Sequence, residues 1–96
     1  MNNYTIRVEL SEPTPNMHIE LLYTMLENGF SRSVVCEKGN TYALPSNEFT
    51  YVGTENIRSL TDRIANLINS FSHDPAVFIS RSEERCWSGL RSINLS

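Results

Sequence analysis

A chain of 96 residues with 40 % apolar content holds material for one hydrophobic core, which excludes a multidomain protein. A net charge of −3 excludes tight nucleic-acid binding through bulk charge, although seven of the eight basic residues are arginines, suited to bidentate contacts with phosphate or carboxylate. The opening MNNYTIRVEL has no basic leader, and no apolar run reaches the roughly 18 residues of a membrane span, so a cytoplasmic protein is expected.

Tyr4, Ile6, Val8 and Leu10 alternate with Thr5, Arg7 and Glu9, the period of a half-buried strand. Thr14 followed by Pro15 predicts a helix start, a hydroxyl N-cap with proline where no amide donor is missed. Ile19, Leu22, Met25 and Leu26 form the predicted apolar stripe of that helix. Gly29 is its expected left-handed stop, with Phe30 packing back on Met25. Residues 31–37 read as a second strand around Val34, Val35 and Cys36, and Gly39 supplies the positive φ of a turn over 37–40. The return strand starts at Thr41, is interrupted or bulged at Pro45, which cannot donate to a ladder, and resumes over 48–53. Thr54 is the expected cap of a second helix, with Glu55 in its first turn and a stripe of Ile57, Leu60, Ile64, Leu67, Ile68 and Phe71. Residues 76–80 suit a buried strand, and residues 82–96 form a less regular C-terminal segment anchored by Trp87 and Leu90.

The order β-α-β-β-α-β, with one apolar stripe on each helix, predicts a single α+β domain over 1–96. The expected plan is ferredoxin-like, a four-stranded antiparallel sheet with both helices on one face.

Cys36 and Cys86 have no metal or redox spacing and read as free, buried thiols, with a disulfide or a shared metal site as the alternatives. His18 and His73 lack a second ligand at metal spacing, and no phosphate loop, dinucleotide fingerprint or nucleophile elbow is present, so no metal or cofactor is expected. RNA-recognition sheets stack bases on aromatics of their central strands, but the outward positions of the first strand here are Thr5, Arg7 and Glu9. Arg81 and Arg85 beside Trp87 suit a grip on phosphate with a stacked base, or equally a tryptophan packed under arginine stems. Metal-free RNA cleavage needs a base for the 2′-hydroxyl, an acid for the leaving oxygen and a cation for the phosphate. Arg7, Glu9, Arg32 and Glu48 supply such groups if they share one surface.

YTIRVEL at 4–10, GFSR at 29–32, YALPSNEF at 42–49 and the late Trp87 together resemble the GhoS-like family. These are small proteins of bacteria and phages, formerly a domain of unknown function, grouped with the endoribonuclease antitoxin of a type V toxin–antitoxin system. The resemblance implies a ferredoxin-like fold and metal-independent cleavage of the mRNA of a small membrane-lytic toxin. It matches Phe49 to a functionally important aromatic of the family, and the candidate catalytic set becomes Arg32, Glu48 and Phe49. Arg7, Arg81, Arg85 and Trp87 form the candidate RNA-binding set. The family's first-helix arginine has no equivalent here, where the helix reads Leu21, Leu22, Tyr23. That departure leaves a second reading open: a non-catalytic binding domain that self-associates, as a homodimer, through a sheet edge or an open sheet face.

Overall fold

The computed structural model describes residues 1–93, with the elements β1 (Asn2–Glu9), α1 (Pro15–Glu27), β2 (Ser33–Val35), β3 (Thr41–Ala43), β4 (Glu48–Gly53), α2 (Ile57–Asn69), β5 (Ala76–Arg81) and β6 (Ser92–Ile93). The strands form two three-stranded antiparallel sheets, ordered β4-β1-β5 and β2-β3-β6. This corrects the expected ferredoxin-like sandwich with its single four-stranded sheet. No helix among the described residues is long and apolar enough to cross a membrane.

The cause of the division lies at the break foreseen around Pro45. Leu44 still pairs with the second strand's side, donating to the Arg32 carbonyl at 2.9 Å, but Glu48 N–H turns back to the Pro45 carbonyl at 3.2 Å. Asn47 takes a left-handed φ of 64°, which asparagine tolerates better than most side chains. The two halves of the expected return strand therefore diverge, β3 into one sheet and β4 into the other. The second strand keeps a backbone foothold on the first sheet at the Ser31–Thr50 bridge, with N···O distances of 2.9 and 2.7 Å. From Ser33 onward it pairs with β3 instead, and residues 82–91 lead on to β6, which closes the second sheet. Residues 94–96 of the expected irregular segment lie outside the described residues.

In the first sheet, directly opposed residues share a face. Tyr4, Ile6 and Val8 of β1 and Phe49 of β4 turn inward and form one buried cluster with Leu21 and Met25 of α1, Phe30, and Leu60, Ile64 and Ile68 of α2. The α2 stripe matches its sequence pattern except Ile57, which is exposed. In α1 the stripe is rotated: Leu21 is buried, Leu22 packs at the margin, and Ile19 and Leu26 are exposed. On β5, Val77 and Ile79 face the core, whereas Phe78 is 72 % exposed, so the strand is not buried as expected.

Both ends of α1 follow their signals. Thr14 Oγ1 accepts from Met17 N–H, Pro15 occupies the first turn, and Gly29 has φ 88°. Phe30 N–H then donates to the Met25 carbonyl at 3.0 Å and Gly29 N–H to Leu26 at 3.3 Å, the paired bonds of a Schellman stop. At α2 the cap is Asn56, whose Oδ1 accepts from Ser59 N–H at 2.8 Å, rather than Thr54.

Glu55 has a role different from the dipole partner foreseen for it. Its carboxylate accepts from the Tyr51 hydroxyl and from Arg63 Nε at 3.0 Å, while the Arg63 guanidinium lies 5.2 Å from the Phe30 ring centroid and 5.5 Å from that of Tyr51. The Tyr51 hydroxyl holds the Glu55 carboxyl below its ordinary range; burial opposes this and Arg63 reinforces it. The same hydrogen bond, with burial, raises Tyr51. A carboxylate depressed in the folded state stabilises the fold above its unfolded pKa of about 4.3, and that contribution is lost as pH falls through the lower folded value. Tyr51 acts in the opposite sense: its contribution is complete below about pH 10 and is lost as pH rises through its raised folded value. Urea midpoints measured from neutral pH downward are thus expected to drop below about pH 4.3, with a shallower drop in Glu55→Gln.

Candidate functional site

The face of the first sheet opposite the helices carries Thr5, Arg7 and Glu9 of β1, Glu48 and Thr50 of β4, and Ala76, Phe78 and Ser80 of β5. Half of it is covered. Thr50 Oγ1 donates to the Ser33 carbonyl at 3.0 Å where the second sheet begins. Thr5 Oγ1 accepts from Arg85 Nε at 3.0 Å and lies 3.3 Å from Ser82 Oγ. Arg85 also donates to the Tyr4 carbonyl at 2.9 Å, and burial lowers its pKa. Arg85 is thus a latch tying the C-terminal segment to β1, with two of its nitrogens engaged inside the protein.

One row along the strand axis, the face is open. Glu48, Arg7 and Phe78 lie directly opposite one another across β4, β1 and β5. With neighbouring strands about 4.8 Å apart, the row spans roughly 10 Å from carboxylate strand to aromatic strand. Together with Thr5, Glu9 and Ser80 it borders a shallow concavity of about 610 Å³. Among the described residues Arg7 makes only a loose ion pair, 3.9 Å to Glu9, with both side chains more than half exposed, which leaves its guanidinium able to take a phosphate.

The candidate catalytic set does not share one surface. Glu48 lies on the open face, but Phe49, its neighbour on the strand, points the other way and is 1 % exposed in the core. Arg32 borders a separate concavity on the helix side, with His18 and Phe49. The RNA-binding set is likewise spread. Arg7 is on the open face, while Arg81 lies opposite Tyr4 and lines a hollow with Asn56 at the start of α2. Trp87 packs against Tyr42 of β3, with centroids 5.7 Å apart and planes at 56°. Cys36 and Cys86 are both free; Cys36 is only half-buried and Cys86 is exposed, so neither is the buried thiol that was expected. They line one cleft between the sheets, and among the described residues no cluster of three or more His, Cys, Asp or Glu is placed to hold a metal ion.

Phe78 is the surface residue that sequence reasoning passed over. Its signal was present: Val77 and Ile79 flank it at a spacing of two, so a strand burying both must turn Phe78 outward. The uniformly apolar run disguised that alternation.

Neither a family model nor a curated protein matches this chain. The likeness to the GhoS-like family therefore stands on its motifs alone.

Proposed function

We propose that the protein is a GhoS-like, antitoxin-type RNA-binding protein that takes single-stranded mRNA on the open face of its first sheet and cleaves it without a metal ion. The observation that carries this reading is the row Glu48–Arg7–Phe78. It supplies an aromatic platform for a base, a guanidinium for a phosphate and a carboxylate to accept a proton, side by side and open to solvent. In this reading Phe78 stacks a base and Arg7 pairs with the scissile phosphate. Glu48 takes the proton of the 2′-hydroxyl, whose oxygen attacks phosphorus. The 5′-oxygen leaves with a proton from water, and the upstream fragment ends in a 2′,3′-cyclic phosphate. With one arginine on the row and a net charge of −3, affinity comes from stacking more than from counterion release. Purified protein incubated with transcripts of short, membrane-active toxins is expected to cut them equally with and without EDTA, leaving cyclic-phosphate ends. Intact transcripts at high protein concentration would sink the nuclease.

A second reading, a non-catalytic self-associating domain, is favoured by the outer edge of β5, which pairs with no further strand among the described residues. Ser82 N–H donates to the Asn3 carbonyl at 2.8 Å, which by alternation turns the N–H and C=O groups of Val77, Ile79 and Arg81 away from β1. That edge carries no lysine, proline or bulge to discourage pairing. In this reading two copies join β5 to antiparallel β5, and light scattering gives twice the 11.0 kDa chain mass. A monomer at every concentration excludes it.

A further inference from the structure

We propose that the concavity between α1 and the turn joining β3 to β4 is a binding site for a small carboxylic acid with an apolar tail, held by the Arg32 guanidinium. The hollow, about 370 Å³, lies on the helix side of the first sheet, away from the Glu48–Arg7–Phe78 row. It is independent of the RNA reading. Its walls are mainly apolar, from Ile19, Leu21, Leu22 and Phe49, with His18, Arg32, Ser46 and Asn47 as the polar groups.

Arg32 is a cation without a partner among the described residues. Its Nε is buried and donates to no acceptor, and the guanidinium borders the hollow, where its terminal nitrogens can meet a ligand. Among the described residues it has no carboxylate within ion-pair distance, and its side chain makes no hydrogen bond to the protein. An arginine is always charged, and burying part of its guanidinium beside apolar walls without a counter-ion is unfavourable. Native proteins leave few such donors unpaired, and a bound ion is one of the recognised reasons. The backbone that presents Arg32 is fixed on both sides, by the Ser31–Thr50 bridge and by Leu44 N–H on its own carbonyl at 2.9 Å. The backbone that carries the fork is therefore held in place before any ligand arrives.

The surroundings select among anions. A phosphate dianion is best held by several cations, and the basic side chains bordering the hollow are Arg32 and His18, beside the neutral Ser46 and Asn47. A carboxylate matches the planar guanidinium fork with a single charge, and its tail finds Leu22, Phe49 and Ile19. The site also accounts for Ile19, an isoleucine 53 % exposed at the rim, where a bound tail covers it.

The test is an NMR titration of the intact chain with octanoate, with octan-1-ol and inorganic phosphate as separate arms. Octanoate is expected to shift the Arg32 Nε–H and the Leu22 and Phe49 resonances saturably, with octanol and phosphate each at least about tenfold weaker. Arg32→Gln is expected to weaken octanoate by about tenfold or more while leaving the rest of the spectrum in place. Leu22→Trp, which fills the hollow and keeps the arginine, is expected to block octanoate as well. Absence of saturable shifts at millimolar octanoate overturns the proposal. So does octanol binding as well as octanoate, or octanoate binding unchanged in both variants.

Discussion

Phe49→Ala is expected to cost about 3–5 kcal/mol of stability, because it removes a buried aromatic ring and leaves a cavity at the centre of the sheet–helix interface. Domains of this size have about 5–15 kcal/mol in total, so the substitution removes a large share of it and raises the unfolded fraction by about 10²–10⁴-fold. Any loss of RNA cleavage in this variant therefore reports on folding, even though the GhoS-like resemblance makes Phe49 a candidate catalytic residue. Phe49→Leu separates the two roles. A buried packing residue replaced by leucine retains a folded, active protein, whereas an aromatic needed for chemistry loses activity with the fold intact. Urea denaturation beside an activity assay at matched folded fraction makes the comparison, and full stability in Phe49→Ala would refute the packing role.

Glu48→Gln is expected to lower RNA cleavage by about 10²–10⁴-fold, the range for removing a general base, while leaving RNA affinity and stability nearly unchanged. Glutamine keeps the shape and hydrogen-bonding reach of the side chain but cannot accept the 2′-hydroxyl proton. Glu48 lies at the end of the cross-sheet row, outside the core, so the substitution leaves no cavity. Arg7→Ala in the same assay is expected to reduce both affinity and turnover, because the guanidinium meets phosphate in the bound and transition states. Equal cleavage by wild type and Glu48→Gln would remove Glu48 from the chemistry.

How far the sequence shows this molecule depends on whether each signal was local. The helix starts and stops, Thr14–Pro15 and Gly29–Phe30, use hydrogen bonds within six residues, and both are found as expected. The alternation of Tyr4, Ile6 and Val8 against Thr5, Arg7 and Glu9 assigned each face of β1 correctly. The break at Pro45 was visible, but its consequence was not. Whether a proline and a left-handed Asn47 bend one strand or split it between two sheets depends on distant partners, β1 for one half and β6 for the other, roughly 40–50 residues away in sequence. The candidate site divided on the same principle. Arg7 and Glu48 came together because both lie on strands of known period. Phe49 faced the core because it is the next residue along, which alternation dictates and the motif resemblance does not. Arg85 carries no local mark of its partner, since its bonds reach back 80 and 81 residues to Thr5 and Tyr4.

The proposed RNA site is the open row of the first sheet, with Phe78 as its stacking platform. Fluorescence anisotropy of a labelled RNA oligonucleotide, titrated with wild type and Phe78→Ala under identical salt, tests it most directly. Phe78 is 72 % exposed, so its truncation leaves stability essentially unchanged. The expected result is saturable binding by wild type, weakened in Phe78→Ala by about 1–3 kcal/mol, the worth of one base stacked on an aromatic ring. Binding of equal strength in the two proteins, or no binding by wild type, would contradict the account.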